Sequence, residues 1–258
     1  MVKMIPRVVA VIPALNEAAV IAAVVHAIRA ADEGALVSHV IVCDNGSADD
    51  TAREALRAGA IVVSEPVRGY GAACLAALRA IDDLKLCADI VLFVDGDGSV
   101  KADEAAALIQ RVLDGADLVV GVRVPDLQTA RALTWPQRVG NVVACVMIRA
   151  LWGVRMADLG PFRAIRIDAL RRLKMADMRF GWTVEMQVKA IQRGMRYAEI
   201  PVSTRVRVGK SKISGTVSGV IGAAHGIIGM ILRLRWQEWK SRDVTFAETP
   251  SVAKNILP

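Results

Sequence analysis

Four continuous apolar runs alternate with amphipathic stretches along the first hundred residues, and each run stops at a polar cluster. Arg7-Val-Val-Ala-Val-Ile-Pro13, Val37 to Cys43, Ile61-Val62-Val63 and Asp89 to Val94 lack inward–outward alternation, the pattern of parallel strands covered on both faces. Between them, Ala18 to Ala30, Ala52 to Ala58 and Ala72 to Ile81 predict helices, the second behind Asp49, Asp50 and Thr51 at its start. Strand and helix recur every ~20 to 30 residues, which predicts an α/β fold with a mainly parallel central sheet. In such sheets ligands bind beyond the carboxyl ends of the strands. The polar clusters at 13–17, 44–51, 68–71 and 95–99 all fall there, so they predict one pocket.

The pattern loosens further on. Val119 to Arg123 reads as a strand, Leu127 to Arg138 as a loop and Val139 to Leu151 as a helix. Asp158 to Ile167 is strand-like, Thr183 to Arg193 helical, and Glu199 to Arg207 a last strand. Ile213 to Leu232 carries no formal charge, and Val217, Val220, Ile221, Ile227, Ile228 and Ile231 follow helical spacing. Its other face is small or weakly polar, with Ser218, Gly219, Gly222, His225, Gly226 and Gly229. Arg233, Arg235, Trp236, Trp239 and Lys240 follow, an interfacial mixture of cations and indoles. The length reaches the lower limit of a membrane span, but the glycines and the histidine favour an amphipathic helix lying in the headgroup layer. A packing helix or a homodimer seam on the small face is the plainer reading. The chain thus divides into a catalytic unit over 1–212 and a membrane-proximal helix and tail over 213–258.

Composition narrows the class. With 54% hydrophobic residues the chain is neither disordered nor a disulfide scaffold. Cys43, Cys74, Cys87 and Cys145 form no CxxC pair and no signal peptide is legible, which predicts reduced thiols and a cytoplasmic location. The net charge of +7 is local: eight basic residues face one acid between Arg205 and Arg242, and the remainder balances. A neutral body with a basic C-terminal segment predicts an anionic partner, such as a membrane surface, met at one place. The cations are not interleaved with an aromatic stacking platform, which argues against nucleic acid. The three histidines have no metal-binding spacing, Ser47 lacks a nucleophile elbow, and the first strand does not end in GxGxxG, so hydrolase and dinucleotide chemistry are excluded.

The sharpest chemistry is Asp95-Gly96-Asp97. Residues two apart on an extended backbone point the same way, and Gly96 removes the side chain between them. Paired hard oxygens suit Mg²⁺ or Mn²⁺ carrying a diphosphate, and such an ion neutralises a leaving phosphate. Arg207, Lys210 and Lys212 are phosphate-seeking cations on a loop that Gly209 and Ser211 make supple.

The ordered strings Val11-Ile-Pro-Ala-Leu-Asn-Glu17, Val42-Cys-Asp-Asn-Gly-Ser-Ala-Asp-Asp-Thr51, Arg68-Gly-Tyr-Gly71 and Asp95-Gly-Asp97 resemble the family 2 glycosyltransferases of the GT-A fold. Asp158-Leu-Gly-Pro-Phe-Arg163, Gly181-Trp-Thr-Val-Glu185 and Arg207-Val-Gly-Lys-Ser-Lys212 continue the resemblance, most narrowly to the polyprenyl-phosphate branch that includes dolichyl-phosphate mannose synthases. The resemblance implies a Rossmann-like three-layer sandwich. It implies that Pro13, Asn16, Glu17 and Asp44 line the nucleotide base and ribose, and that Arg68 and Gly71 belong to the donor site. Asp95, Gly96 and Asp97 would hold metal and diphosphate, with Ser99 where relatives often have a Gln ligand. Arg123 and Arg138 would receive an acceptor phosphate, and Arg207, Lys210, Ser211 and Lys212 would close over the donor. The implied reaction moves one sugar, with inversion, from a nucleotide-diphosphate sugar (UDP- or GDP-linked) to a polyprenyl phosphate at the cytoplasmic membrane face. Two alternatives stay open: a hydroxyl acceptor with Glu185 or Asp158 as base, and an inactive nucleotide-sugar-binding protein. Arg163 could be a structural pair for a carboxylate, and Trp182 either a core aromatic or a sugar platform.

Overall fold

The computed structural model describes residues 6–31, 37–124, 133–205 and 217–247. Among them, seven strands form one sheet: β1 (Val8–Ala14), β2 (Val37–Asp44), β3 (Ile61–Ser64), β4 (Ile90–Phe93), β5 (Leu118–Arg123), β6 (Arg163–Arg166) and β7 (Tyr197–Val202). Their order is β3-β2-β1-β4-β6-β5-β7, with β6 alone antiparallel to its neighbours. The helices are α1 (Ile21–Ala30), α2 (Thr51–Arg57), α3 (Tyr70–Asp83), α4 (Ala105–Leu113), α5 (Trp135–Trp152), α6 (Ile167–Leu173), α7 (Trp182–Gln192) and α8 (Val217–Ala247).

The unbroken apolar runs now have a physical cause. All seven residues of β1 are buried, and they part by the two-residue period of a strand. Val8, Ala10, Ile12 and Ala14 join one core with α1, α2 and α4, while Val9 and Val11 join a second with α3, α6 and α7. β4 divides likewise, with Ile90 and Leu92 on one side and Val91 and Phe93 on the other. A strand with helices on both faces has no polar side to show. The result is the expected three-layer α/β sandwich.

α7 is buried on two sides. Trp182, Met186 and Ala190 pack on the sheet, while Val184 and Val188 meet Ala144 and Ile148 of α5 and Met230, Ile231 and Leu234 of α8. The C-terminal helix therefore gives an apolar face to the body. None of the described helices is long and apolar enough to cross a membrane.

Several elements depart from the expected bounds. α5 starts at Trp135 because Thr134 and Gln137 form a reciprocal capping box and Pro136 sits in the first turn, so Thr134 to Arg138 is no loop. Only Arg163–Arg166 of the strand-like stretch pairs in the sheet. The last strand ends at Val202, after which Thr204 bridges to Val100.

Asp117, at the start of β5, anchors β7. Its carboxylate accepts from Arg196 N and Nη2, each at 2.9 Å, and these bonds hold its pKa below the usual carboxylate range. The stabilisation is present above the unfolded value of about 4 and fades as pH falls through the lower folded value. Asp117→Asn should therefore lower the thermal midpoint at pH 7, and the gap to the parent should close as pH is taken down towards about 3; a gap independent of pH would refute this linkage.

Candidate active site

The sheet order reverses between β1 and β4, and the segments leaving these two strands meet there. The β1 exit turns at Asn16, whose φ of 51° is one that asparagine tolerates better than most residues. Asn16 is held by the β2 exit: its backbone amide donates to Ser47 Oγ at 2.9 Å and its side-chain oxygen accepts from Ala48 N at 2.7 Å. Glu17 N donates to Thr51 Oγ1 at 2.7 Å. Asn45 ties three segments together. Its backbone amide donates to Ala14 O at 2.9 Å, its Nδ2 to Glu65 O and Val67 O at 2.9 and 2.7 Å, and its Oδ1 accepts from Gly69 N at 2.8 Å.

The β4 exit carries Asp95-Gly96-Asp97. A Cβ on Gly96 would stand 3.2 Å from Pro13 O and 3.3 Å from Ala14 Cβ, so glycine lets the two exits touch. Asp97 Oδ1 accepts from Ser99 N at 2.9 Å, which fixes the turn. The hydroxyl of Tyr70 bonds to Asp95; burial, and after it the Asp95 charge, push that phenol well above its usual value. It stays protonated and donates.

A cavity of about 360 Å³ opens between these exits. Pro13, Ala14, Leu15 and Glu17 line it from β1, Asn45 from β2, and Asp95, Gly96 and Asp97 from β4. Arg68, Gly69, Tyr70 and Ala73 add the start of α3, and Arg179 and Phe180 complete the wall. The last two arrive because two glycines admit their loop. A Cβ at Gly69 or Gly71 would fall 2.0 Å from the carbonyl oxygens of Met178 or Asp177, and Gly71 N and Ala72 N donate to Arg179 O and Met178 O. α8 backs the same wall: a Cβ at Gly226 would lie 3.4 Å from Phe180 Cβ.

Of the residues expected in the site, Pro13, Glu17, Arg68, Asp95, Gly96 and Asp97 thus line the cavity. Asp44 accepts from Ser47 N within its own turn, Gly71 serves backbone packing, and Ser99 caps Asp97; none of the three reaches the lining. Arg207, Lys210, Ser211 and Lys212 lie outside the described residues, although Arg205 N donates to Ser99 O at 2.7 Å. The chain therefore enters that basic run beside the aspartate turn.

Of the remaining candidates, Arg123, Asp158, Glu185, Arg163 and Trp182 hold structure. Arg123 donates from Nε and from its backbone to Asp158 Oδ2 at 2.7 and 3.0 Å, in a largely buried pair outside the lining. Releasing it towards a phosphate would strand a buried carboxylate, at a cost of about 3–5 kcal/mol, so Arg123 stays with Asp158. Arg138 is exposed and donates to Leu133 O at 3.1 Å. Glu185, 3% exposed, accepts from the amides of Ala176 and Asp177 and from Lys189 Nζ at 2.6 Å, so it holds the loop that presents Arg179. Neither Glu185 nor Asp158 lines the cavity where a base would stand. Arg163 is buried and donates to the carbonyls of Gly160 and Thr183, not to a carboxylate, and Trp182 packs edge-on against Phe93 in the core.

The profile of Glycosyl transferase family 2 matches residues 9–173, from β1 through α6. The chain belongs to that family. It is 39% identical over 214 residues to an uncharacterized glycosyltransferase of Mycobacterium tuberculosis, covering 82% of this chain and 91% of the relative. A polyprenol monophosphomannose synthase of Mycolicibacterium smegmatis is 28% identical over 193 residues, covering 69% of this chain and 71% of that one. Among solved structures, glucosyl-3-phosphoglycerate synthase from M. tuberculosis, in complex with Mn²⁺, UDP and phosphoglyceric acid, superposes with a TM-score of 0.70 at 26% identity, covering 89% of this chain and 78% of that chain. The fold is accordingly of the GT-A type.

The cavity of this glycosyltransferase offers hard oxygens from Asp95 and Asp97 on one turn. Among the described residues no cluster of three or more His, Cys, Asp or Glu forms a metal site. Two carboxylates fit a divalent ion that takes its other oxygens from a diphosphate and water, as Mg²⁺ commonly does. Asn45→Ala should lower unfolding free energy by about 1–3 kcal/mol, because it strands Gly69 N and two carbonyls. Urea unfolding read by circular dichroism checks this; an unchanged midpoint would show that Asn45 does not hold the site together.

Proposed function

We propose that this glycosyltransferase moves one sugar from a nucleotide-diphosphate sugar to a polyprenyl phosphate at the cytoplasmic membrane face, inverting the anomeric configuration. The observation that carries the reading is the meeting of Asp95 and Asp97 with Glu17, Asn45, Arg68 and Arg179 around one cavity at the carboxyl edge of the sheet. The likeness to a polyprenol monophosphomannose synthase supports the acceptor, and the solved relative's Mn²⁺ and UDP support the donor and metal classes.

The nucleotide fits beside Pro13, Glu17 and Asn45, and its diphosphate between the aspartate turn and Arg68 and Arg179. Asp95 and Asp97 would hold Mg²⁺ or Mn²⁺, which when bound neutralises charge on the leaving diphosphate. An acceptor phosphate oxygen forms the new bond to the anomeric carbon as the bond to the donor diphosphate breaks, and the diphosphate leaves with the electron pair. That phosphate is anionic near neutral pH, so no base is needed, in keeping with the engagement of Glu185 and Asp158 elsewhere. Arg138, exposed at the start of α5, is the cation on the β5 side that meets the acceptor. A soluble hydroxyl acceptor is the second reading, favoured by the phosphoglyceric acid held in the solved relative.

A thermal-shift panel of UDP and GDP with and without Mn²⁺ should raise the midpoint most for one base with metal. Asp97→Asn should abolish that metal-dependent increment and sugar transfer while the unliganded midpoint stays in place; full activity in this variant would end the metal assignment. Transfer of labelled sugar to polyprenyl phosphate, and not to phosphoglycerate, separates the two acceptors. Glu185→Gln should lower stability yet leave the shape of the pH–rate profile unchanged. Loss of the acidic limb in that variant would instead return Glu185 to the role of general base.

A further inference from the structure

α5 turns a row of apolar side chains away from the body. Trp135, Val142 and Val146 are 73%, 60% and 60% exposed, and Val139 and Val143 are exposed beside them. At about 100° per residue these positions share one face, opposite Ala144 and Ile148, which pack on α7 and α8. α8, packed against α5, adds Leu232, Trp236 and Trp239, each more than half exposed. Exposed apolar side chains in a row along one helix face, with further ones on the helix packed beside it, mark an interaction surface.

Among the described side chains of these two helices, cations predominate. α5 contains Arg138 and Arg149 and no acid. The described side chains of α8 include Arg233, Arg235 and Lys240 against one acid, Glu238. Glu238 is turned inward, accepting from Trp152 Nε1 at 2.6 Å and from Gln192 and Arg235 at 3.3 Å. Lys240 Nζ lies 3.8 Å above the Trp236 ring, so cation and indole present themselves together.

We infer that the outer face of α5, with the Trp236–Trp239 end of α8, docks on the surface of an anionic phospholipid bilayer. Apolar side chains, indoles and a cationic rim match the acyl boundary, headgroups and negative charge of such a surface. A two-fold dimer through the same face would set the Arg138 and Arg149 rims against their own copies. The site follows from the chain's path. Asn141 Oδ1 accepts from Leu159 N at 2.9 Å, next to the Asp158 that pairs with Arg123 at the carboxyl end of β5. The N-terminal half of α5 thus stands at the sheet edge where the cavity opens. The inference deepens the proposed lipid-linked acceptor, but vesicle binding is read without donor or acceptor and so holds or fails separately from sugar transfer.

The full chain is sedimented with vesicles of equal parts phosphatidylglycerol and phosphatidylcholine, with phosphatidylcholine alone, and at high salt. Binding is expected to the anionic vesicles only, to weaken with salt, and to fall about tenfold or more in the Val142→Gln/Val146→Gln double variant. The thermal midpoint and the nucleotide-dependent shift should not move. Trp239→Ala, on the other helix, should also weaken binding and serves if the double variant is unstable. The inference is overturned if the parent chain stays in the supernatant, or if these variants bind as well as the parent. It is equally overturned if light scattering finds a dimer that the double variant splits while vesicle binding is unaffected.

Discussion

Asn45 meets a constraint that any strand-edge pocket faces: loops long enough to bind a ligand have backbone groups that the sheet no longer satisfies. One residue answers four such groups: its backbone amide donates to the Ala14 carbonyl, while its side chain donates to the Glu65 and Val67 carbonyls and accepts from the amide of Gly69. The exits of β1 and β2 and the start of α3 thereby become one rigid rim. Because Gly69 is fixed, Tyr70 reaches Asp95, and the aspartate turn is joined to the same rim from its other side. Preorganisation of this kind matters for glycosyl transfer, where positioning and charge stabilisation lower the barrier.

The second half of the chain completes the site through contacts of another type. Gly69 and Gly71 admit the backbone of 177–179 at a distance no side chain would permit, and Glu185 holds the preceding amides from inside the protein. Arg179 and Phe180 are thus delivered to the cavity by packing on both sides of their loop. The buried Arg163 and the Arg123–Asp158 pair act in the same spirit, satisfying carbonyls and charges close to the cavity.

Most of the fold could be read from the sequence, since a strand buried on both faces must be apolar throughout and must end where polarity returns. α4 is the element that the reading of the apolar runs passes over, although Ala105, Leu108, Ile109 and Val112 carry helical spacing. The sequence reading begins α5 at Val139; the capping box of Thr134 and Gln137, a signal present in the sequence, sets its start at Trp135. The aspartate turn, Glu17 and Arg68 were legible because local strings place them at strand exits. Asn45 stood inside one of those strings, beside the more conspicuous Asp44. Arg179 and Phe180 carried no signal of their own; their place depends on a contact about a hundred residues away in sequence, between a glycine pair and a loop. Glu185 looked like a base because an acid in a motif invites that role, and only the amides around it reveal its work.

α8 stands behind Phe180, with Gly226 at the point of contact and Met230 against Gly181. A chain cut after residue 212 would therefore leave the wall of the cavity without its backing and bare the Val184–Val188 side of α7 to water. The smallest autonomous transferase is for that reason longer than the segment its family profile matches.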